Sequence, residues 1–389
     1  MDRTKWVCRK FKEVSTVIGG STPKTDKSEY WGGSHYWVTP AELDGSKYIS
    51  KTERSLTDKA VSETNLTLLP TGTVLLSSRA PIGKVCITQS PMYCNQGFKN
   101  IVCSDLLYNE FVYYYLLHNV DYLQSLGTGA TFKEISKKVV ENVEIIVPSL
   151  SDQHTIVAEF DKLNDVIALK RKQLTDLDIL AQSLFYEMYG DPVVNEKGWE
   201  VKKLIDICSK ITDGTHNSPP NDCHGDYMYV TAKNIKKDGI ILDNMTYIST
   251  SDHRTIYDRC NPQFGDVLYI KDGVTTGIAT INTLHEEFSL LSSVALLKPS
   301  NLIVNYYLKY VLNSPTKYMQ IRSEMGGAAI TRLTVSKIER IKIPLPPIPL
   351  QQSFAEKIAK IEAEKQRVKS SLKDLETLLA SRMQYWFDN

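Results

Sequence analysis

The chain says the same thing twice, and this limits its folds more than any other feature. Trp6 opens a stretch with Lys10, Phe11 and Val14; Trp199 opens another with Lys203, Leu204 and Ile207 at the same spacing. Val143-Glu144-Ile145-Ile146-Val147-Pro148 is answered by Ile341-Lys342-Ile343-Pro344-Leu345-Pro346, and Gln153 by Gln351. From about Gly129 to the C-terminus the copies align without a gap. A long duplication predicts two similar domains with two similar jobs. The 389 residues are enough for each copy to bury a core of its own.

Each copy has two parts. The first is mixed α and β. Tyr36–Thr39, Thr73–Ser77 and Lys84–Thr88 have strand composition, punctuated by Gly19-Gly20-Ser21-Thr22-Pro23, Pro70-Thr71-Gly72 and Pro81-Ile82-Gly83. Copy two answers with Tyr227–Thr231 and Gly265–Ile270. A helix rich in Tyr and Leu is predicted near 107–124 and again near 302–321, with Phe111, Tyr114, Tyr115, Tyr306 and Tyr307 as core.

The second part begins after Pro148 and after Pro346-Pro347 and is almost free of Gly and Pro. In copy one Ile156, Phe160, Leu163, Ile167, Lys170, Leu174, Leu177, Ala181, Leu184 and Met188 recur alternately four and three apart. In copy two the series is Phe354, Ile358, Ile361, Lys365, Val368, Leu372, Leu375, Leu379, Arg382 and Trp386. This is a heptad seam. An amphipathic helix packed on its own domain would give a similar stripe, but two such helices of matching length favour pairing. About 33 helical residues at 1.5 Å each make a rod of about 50 Å. Gly190 and Pro192 end the first helix.

No catalytic constellation stands out. Gly127-Thr128-Gly129-Ala130-Thr131-Phe132 begins like a dinucleotide fingerprint but lacks the third Gly and a βαβ setting. P-loop, HExxH and GxSxG motifs are missing from the sequence. Asn217-Ser218-Pro219-Pro220 lacks the aromatic ring of a base-stacking loop and reads as a stiff turn. The seven cysteines form no CxxC pair, which predicts reduced thiols and no metal site; adjacent residues such as Cys223-His224 rarely chelate one ion. No apolar run is long enough to span a membrane, and the N-terminus has no signal-peptide core, so the expected compartment is the cytoplasm.

The polar loops read better as a binding surface. Thr22, Lys24 and Thr25 follow the first predicted element of copy one, as Thr215, His216 and Asn217 do in copy two. Arg79 and Lys84 follow one strand of copy one, and Lys271 follows the matching strand of copy two. Asn95 and Gln96 precede Gly97-Phe98, and Lys233-Asn234 follow the strand at 227–231. Arg and Lys match guanine edges and phosphates, and Asn and Gln match adenine edges. The formal net charge of +1 counts against an extended phosphate-binding surface, part of which a partner would have to supply.

These segments, in this order and twice over, resemble the specificity subunits of type I restriction-modification systems. The resemblance rests on Ile18–Pro23, Tyr30-Trp31, Trp37–Pro40, Ser78–Lys84, Asn95–Phe98, Asp213–His216, the Pro148…Gln153 and Pro346…Gln351 junctions, and Ser183–Phe185 with Gly190–Pro192. It covers essentially the whole chain. It implies an α+β fold with an internal pseudo-two-fold repeat. Target-recognition domains would occupy 1–148 and 193–346, and spacer helices forming an antiparallel coiled coil 149–192 and 347–389. It implies a non-catalytic subunit that reads an asymmetric bipartite site on double-stranded DNA. Two methyltransferase subunits would dock on the helices, and restriction subunits through them. S-adenosylmethionine, ATP and Mg would belong to those partners. Two other readings compete: a self-sufficient DNA-modifying enzyme, and a coiled-coil adaptor with no DNA role.

Overall fold

The computed structural model describes residues 3–129, 133–325 and 332–388. The glycine-rich stretch at 127–132 therefore lies partly outside the described residues, at Ala130-Thr131-Phe132. By compactness the chain divides into two units, Met1–Arg171 with Ser370–Asn389, and Lys172–Lys369.

Each unit is built on a sheet buried on both faces. In the first unit the strand order is Ser15–Gly19, Lys99–Cys103, Val74–Leu76, Val85–Thr88, Tyr48–Ile49. Val74, Leu76, Val85 and Ile87 pack with Phe111 and Leu116 of the helix Asn109–His118. Leu75 and Cys86 point the other way, onto Val38, Met92 and Phe98. A three-stranded sheet, Arg54–Leu56, Trp31–Val38 and Tyr93–Cys94, makes the outer layer. Burial on both faces explains why these strands read as continuous apolar runs and not as alternation.

The second unit repeats the plan. Its sheet runs Cys208–Asp213, Val294–Pro299, Val267–Ile270, Ala279–Ile281, with Thr246–Ile248, Tyr227–Val230 and Phe288–Leu290 as the outer layer. Val267, Tyr269, Ala295 and Leu297 face the helices, and Leu268, Ile270, Val294 and Leu296 face outward onto Val230 and Phe288. Asn109 Nδ2 donates to Gly72 O at 3.0 Å, and Asn305 Nδ2 to Gly265 O at 2.9 Å, so even the helix-to-turn contact is duplicated.

The Tyr-rich helices are each two helices, which corrects the expectation of a single one. In the first unit Asn119 separates Asn109–His118 from Val120–Ser125, its Nδ2 donating to Tyr115 O at 2.9 Å. In the second, Asn305–Asn313 and Pro315–Ser323 part at Ser314, whose ψ of 137° is the extended value imposed on a residue before proline. The aromatics are core: Phe111, Tyr114, Tyr115 and Tyr307 are all buried.

The two long helices, Leu150–Tyr189 and Ile348–Phe387, have 40 residues each, about 60 Å at 1.5 Å per residue. They exceed the expected rod because each begins before its first seam residue. All twenty seam positions are buried or half-buried, Lys170, Lys365 and Arg382 included. Pairing is antiparallel in each unit. In the first, Glu159 meets Arg382 and Trp386 while Arg171, farther along, meets Glu376 at 2.7 Å. Arg382's hydrogen bonds hold the Glu159 carboxyl below the usual carboxylate range, against the opposing effect of burial. In the second, Asp178 meets Lys365 at 2.6 Å while Tyr189 donates to Leu350 O at 3.0 Å.

A buried glutamine fixes the start of each long helix. Gln153 Nε2 donates to Pro148 O and Leu106 O, and its Oε1 accepts from Tyr108 N. Gln351 repeats this with Pro346 O, Leu302 O and Val304 N. Both side chains are fully buried. Gln351→Met keeps the volume but strips a bond from the buried Pro346 carbonyl, where an unpaired polar group costs about 1–3 kcal/mol, and from the less buried Leu302 O and Val304 N. The variant should melt well below the parent in a thermal unfolding experiment; an unchanged melting temperature would show that the clasp is dispensable.

Candidate nucleic-acid interface

One end of each main sheet gathers the polar loops. In the first unit the strands Ser15–Gly19 and Val74–Leu76 end there and Lys99–Cys103 begins there. Chain therefore leaves or enters the sheet at Thr22, at Ser78-Arg79 and at Gln96–Lys99. In the second unit the same end carries Asp213–His216 and Lys271-Asp272.

A glycine makes the first of these loops possible. Where the chain passes from the main sheet to the outer one, Ser21 N donates to Cys94 O at 2.9 Å, and Thr215 N to Leu290 O at 2.8 Å. A Cβ on Gly20 would lie 1.8 Å from Asn95 O, and one on Gly214 would lie 1.9 Å from Leu290 O. Any side chain there would displace the loop.

The first unit brings most of its candidates together. Thr22 Oγ1 donates to Gln96 Oε1. Asn95 Oδ1 accepts from Gly97 N at 2.9 Å, which shapes the loop. Lys99 Nζ reaches Ser78 Oγ at 3.2 Å and Glu134 Oε1 at 3.1 Å. Arg79, half-buried, has Glu134 at 4.0 Å. Lys24 and Thr25 are exposed beside this cluster in sequence, and the Lys24 carbonyl accepts from Lys27 N and from Trp31 Nε1, both at 3.3 Å. Lys84 is a structural residue: its ammonium donates to Pro40 O at 3.0 Å and Leu43 O at 2.9 Å.

The second unit arranges different side chains on the same frame. Lys271 is interior, with 2% of its side chain exposed, and its ammonium lies 3.3 Å from Asp213 and 3.2 Å from Asp272. Asp213 also meets His216 at 3.2 Å and Arg259 at 3.2 Å. Asp272 meets Arg332 at 3.2 Å. Thr215 Oγ1 donates to Asn217 O at 2.9 Å, and His216 and Asn217 are exposed. Lys233 is exposed, but Asn234 is buried and holds Thr231 N and Thr231 Oγ1.

Sequence reasoning missed Asp213 as an interior anchor, and Arg259 and Arg332 altogether. The signal for Arg332 was present. Ile135 N donates to Ser78 O at 3.0 Å and Leu333 N to Lys271 O at 2.8 Å, so the two backbone bridges are equivalent. Arg79 bridges Glu134 in one unit, and Asp272 bridges Arg332 in the other. The ion pair is the same and its polarity is reversed.

A cavity of about 280 Å³ in the second unit, lined by Asp178, Lys309, Tyr310, Glu362 and Lys365, contains none of these loop residues. Burial works against the Lys365 ammonium there, but the hydrogen bond to Asp178 and the charges of Glu362 and Asp238 outweigh it and raise its pKa. No helix among the described residues is long and apolar enough to cross a membrane.

The sequence profile of the type I restriction modification DNA specificity domain matches twice, at residues 3–178 and 196–375. The type I restriction enzyme MjaIX specificity subunit of Methanocaldococcus jannaschii is 33% identical over 377 residues, covering 90% of this chain and 85% of that protein. The EcoR124I/EcoR124II specificity subunit of Escherichia coli is 26% identical over 186 residues, 46% of each chain. Among solved structures, a chain from a study of assembly and conformational transition in a type I R-M system matches with a TM-score of 0.62 at 18% identity, covering 97% of this chain and 96% of that one. The type I S subunit from M. genitalium matches with a TM-score of 0.54 at 14% identity, covering 99% and 96%. These two likenesses concern the fold.

The placement of Lys271 changes what its removal should do. Lys271→Met leaves Asp213 and Asp272 facing each other without the cation between them. Leaving a buried charge wholly uncompensated costs about 3–5 kcal/mol; here Asp213 keeps Arg259 and His216, and Asp272 keeps Arg332, so the loss should be smaller. The variant should lose thermal stability clearly; a melting temperature equal to the parent's would mean that the interior pair contributes nothing.

Proposed function

We propose, for a chain that belongs to the type I restriction modification DNA specificity family, that its two units read the two halves of one asymmetric, bipartite DNA site. The chain is a DNA-specificity subunit, and the chemistry of modification and cleavage belongs to partner subunits. One observation carries the reading of two different halves. The same end of the same sheet occurs in both units, on equivalent backbone bridges, but with different side chains: Thr22, Arg79, Gln96 and Lys99 in one, and His216, Arg259 and Arg332 in the other. Equivalent frames give equivalent roles. Different donors and acceptors on them select different base pairs, because each pair offers its own pattern in the major groove.

In this reading two methyltransferase subunits dock on the long helices, and restriction subunits join through them. S-adenosylmethionine, ATP and Mg act on those partners, in the cytoplasm. A neutral specificity chain leaves much of the phosphate contact to the methyltransferases.

The test is methylation mapping in cells that carry this chain with its methyltransferase. We expect a motif of two unlike half-sites separated by a gap of fixed length. A contiguous or palindromic motif would overturn the proposal.

We also propose that helix length sets the gap. One heptad added after Lys172, matched by one after Ser370, keeps both seams in phase. Seven residues add about 10.5 Å at 1.5 Å per residue. At about 3.4 Å per base this is about three more base pairs, fewer if the DNA bends. The half-sites should stay the same while the mapped gap grows. Full activity with an unchanged gap would show that the helices do not set it.

A further inference from the structure

We propose that the second unit engages DNA through Arg332 and Arg259, and that Lys271 is an interior charge that positions them. The functional counterpart of Arg79 is then Arg332, which sits on the opposite side of the same backbone bridge. This rests on the reading above, in which this end of the unit faces DNA.

The charges form an alternating chain from the interior outward. Asp213 has 6% of its side chain exposed, Lys271 2%, Asp272 22% and Arg332 55%. Arg259, 51% exposed, ends a second branch from Asp213, and its Nη2 also donates to Gly214 O. The carboxylates are thus inside and the guanidinium groups outside. An arginine anchored in this way loses less side-chain entropy on binding than a free one.

The geometry of Arg332 fits a contact. Asp272 Oδ1 lies 3.2 Å from its Nε, an ion pair without hydrogen-bond alignment. Among the described residues no group takes its two terminal Nη nitrogens. That pair of donors matches a planar pair of acceptors, either guanine O6 and N7 or two phosphate oxygens. Lys271 offers no such contact, because its ammonium is shared between two carboxylates inside the unit. In the first unit the half-buried Arg79 provides the guanidinium, with Glu134 as its neighbour.

The experiment uses the complex of the full chain with its methyltransferase subunits, a target duplex and a random duplex. Arg332→Gln and Asp272→Asn break the same ion pair, but only the first removes the arginine; Asp272→Asn also takes one of the two carboxylates from Lys271, which keeps Asp213. We expect Arg332→Gln to weaken target binding about tenfold or more, with unchanged melting temperature and subunit assembly. Asp272→Asn should stay within about threefold of the parent. Arg259→Gln, which leaves Asp213 paired with Lys271 and His216, should also lose affinity. Loss on the target alone identifies a base edge; equal loss on both duplexes, with a salt dependence shallower by about one, identifies a phosphate. Equal losses for Arg332→Gln and Asp272→Asn, or none for Arg332→Gln and Arg259→Gln, would overturn the inference while leaving the DNA-reading function intact. A parent complex that binds no duplex would overturn both.

Discussion

The architecture depends on one interaction made twice: a buried glutamine at the head of each long helix. Its amide satisfies three backbone groups at once, two carbonyls and one N–H. These belong to the loop before the Tyr-rich helix and to the proline turn before the long helix. A helix joined to its domain by a Pro-containing turn alone could swivel. The glutamine opposes that freedom, because a swivel would strip the partners from its own buried amide. The heptad seam then has a defined starting direction, and the aromatic cluster of Phe185, Tyr189, Tyr307 and Phe354 in the second unit packs on a helix that is already aimed.

The sheets divide labour in a way that follows from burial. Their faces are consumed by packing, so neither face can meet a ligand. What remains is the strand ends, where the chain must turn in any case and polar side chains cost little. A single end of each sheet collects loops from segments far apart in sequence. The scaffold can stay constant while the loops differ, and the two units show this in one chain.

Much of this was legible in the sequence. The seam residues announced the long helices because a four-three spacing has few other causes. Gln153 and Gln351 stood out as a matched pair, though their hydrogen bonds could not be read from spacing. The helix break at Pro315 was written in the sequence and overridden by the expectation of one long Tyr-rich helix. Lys271 was misplaced for a physical reason. A lysine at a strand end is usually solvated, and only the fold brings Asp213 and Asp272 to either side of it. Arg332 was hidden by its polarity: a search for matching cations in the two copies passes over a position where Glu134 answers an arginine.

That reversed pair also sets the grain at which such a chain can be recombined. Each bridge joins a loop after the third main strand in space to a segment far downstream, so both partners must travel together. A crossover that joined the first copy up to its Arg79 loop to the second copy's downstream segment would set Arg79 against Arg332. The reciprocal chimera would set Asp272 against Glu134. Either product puts like charges across a bridge that needs opposite ones. Whole domains are therefore the interchangeable parts, and single loops are not.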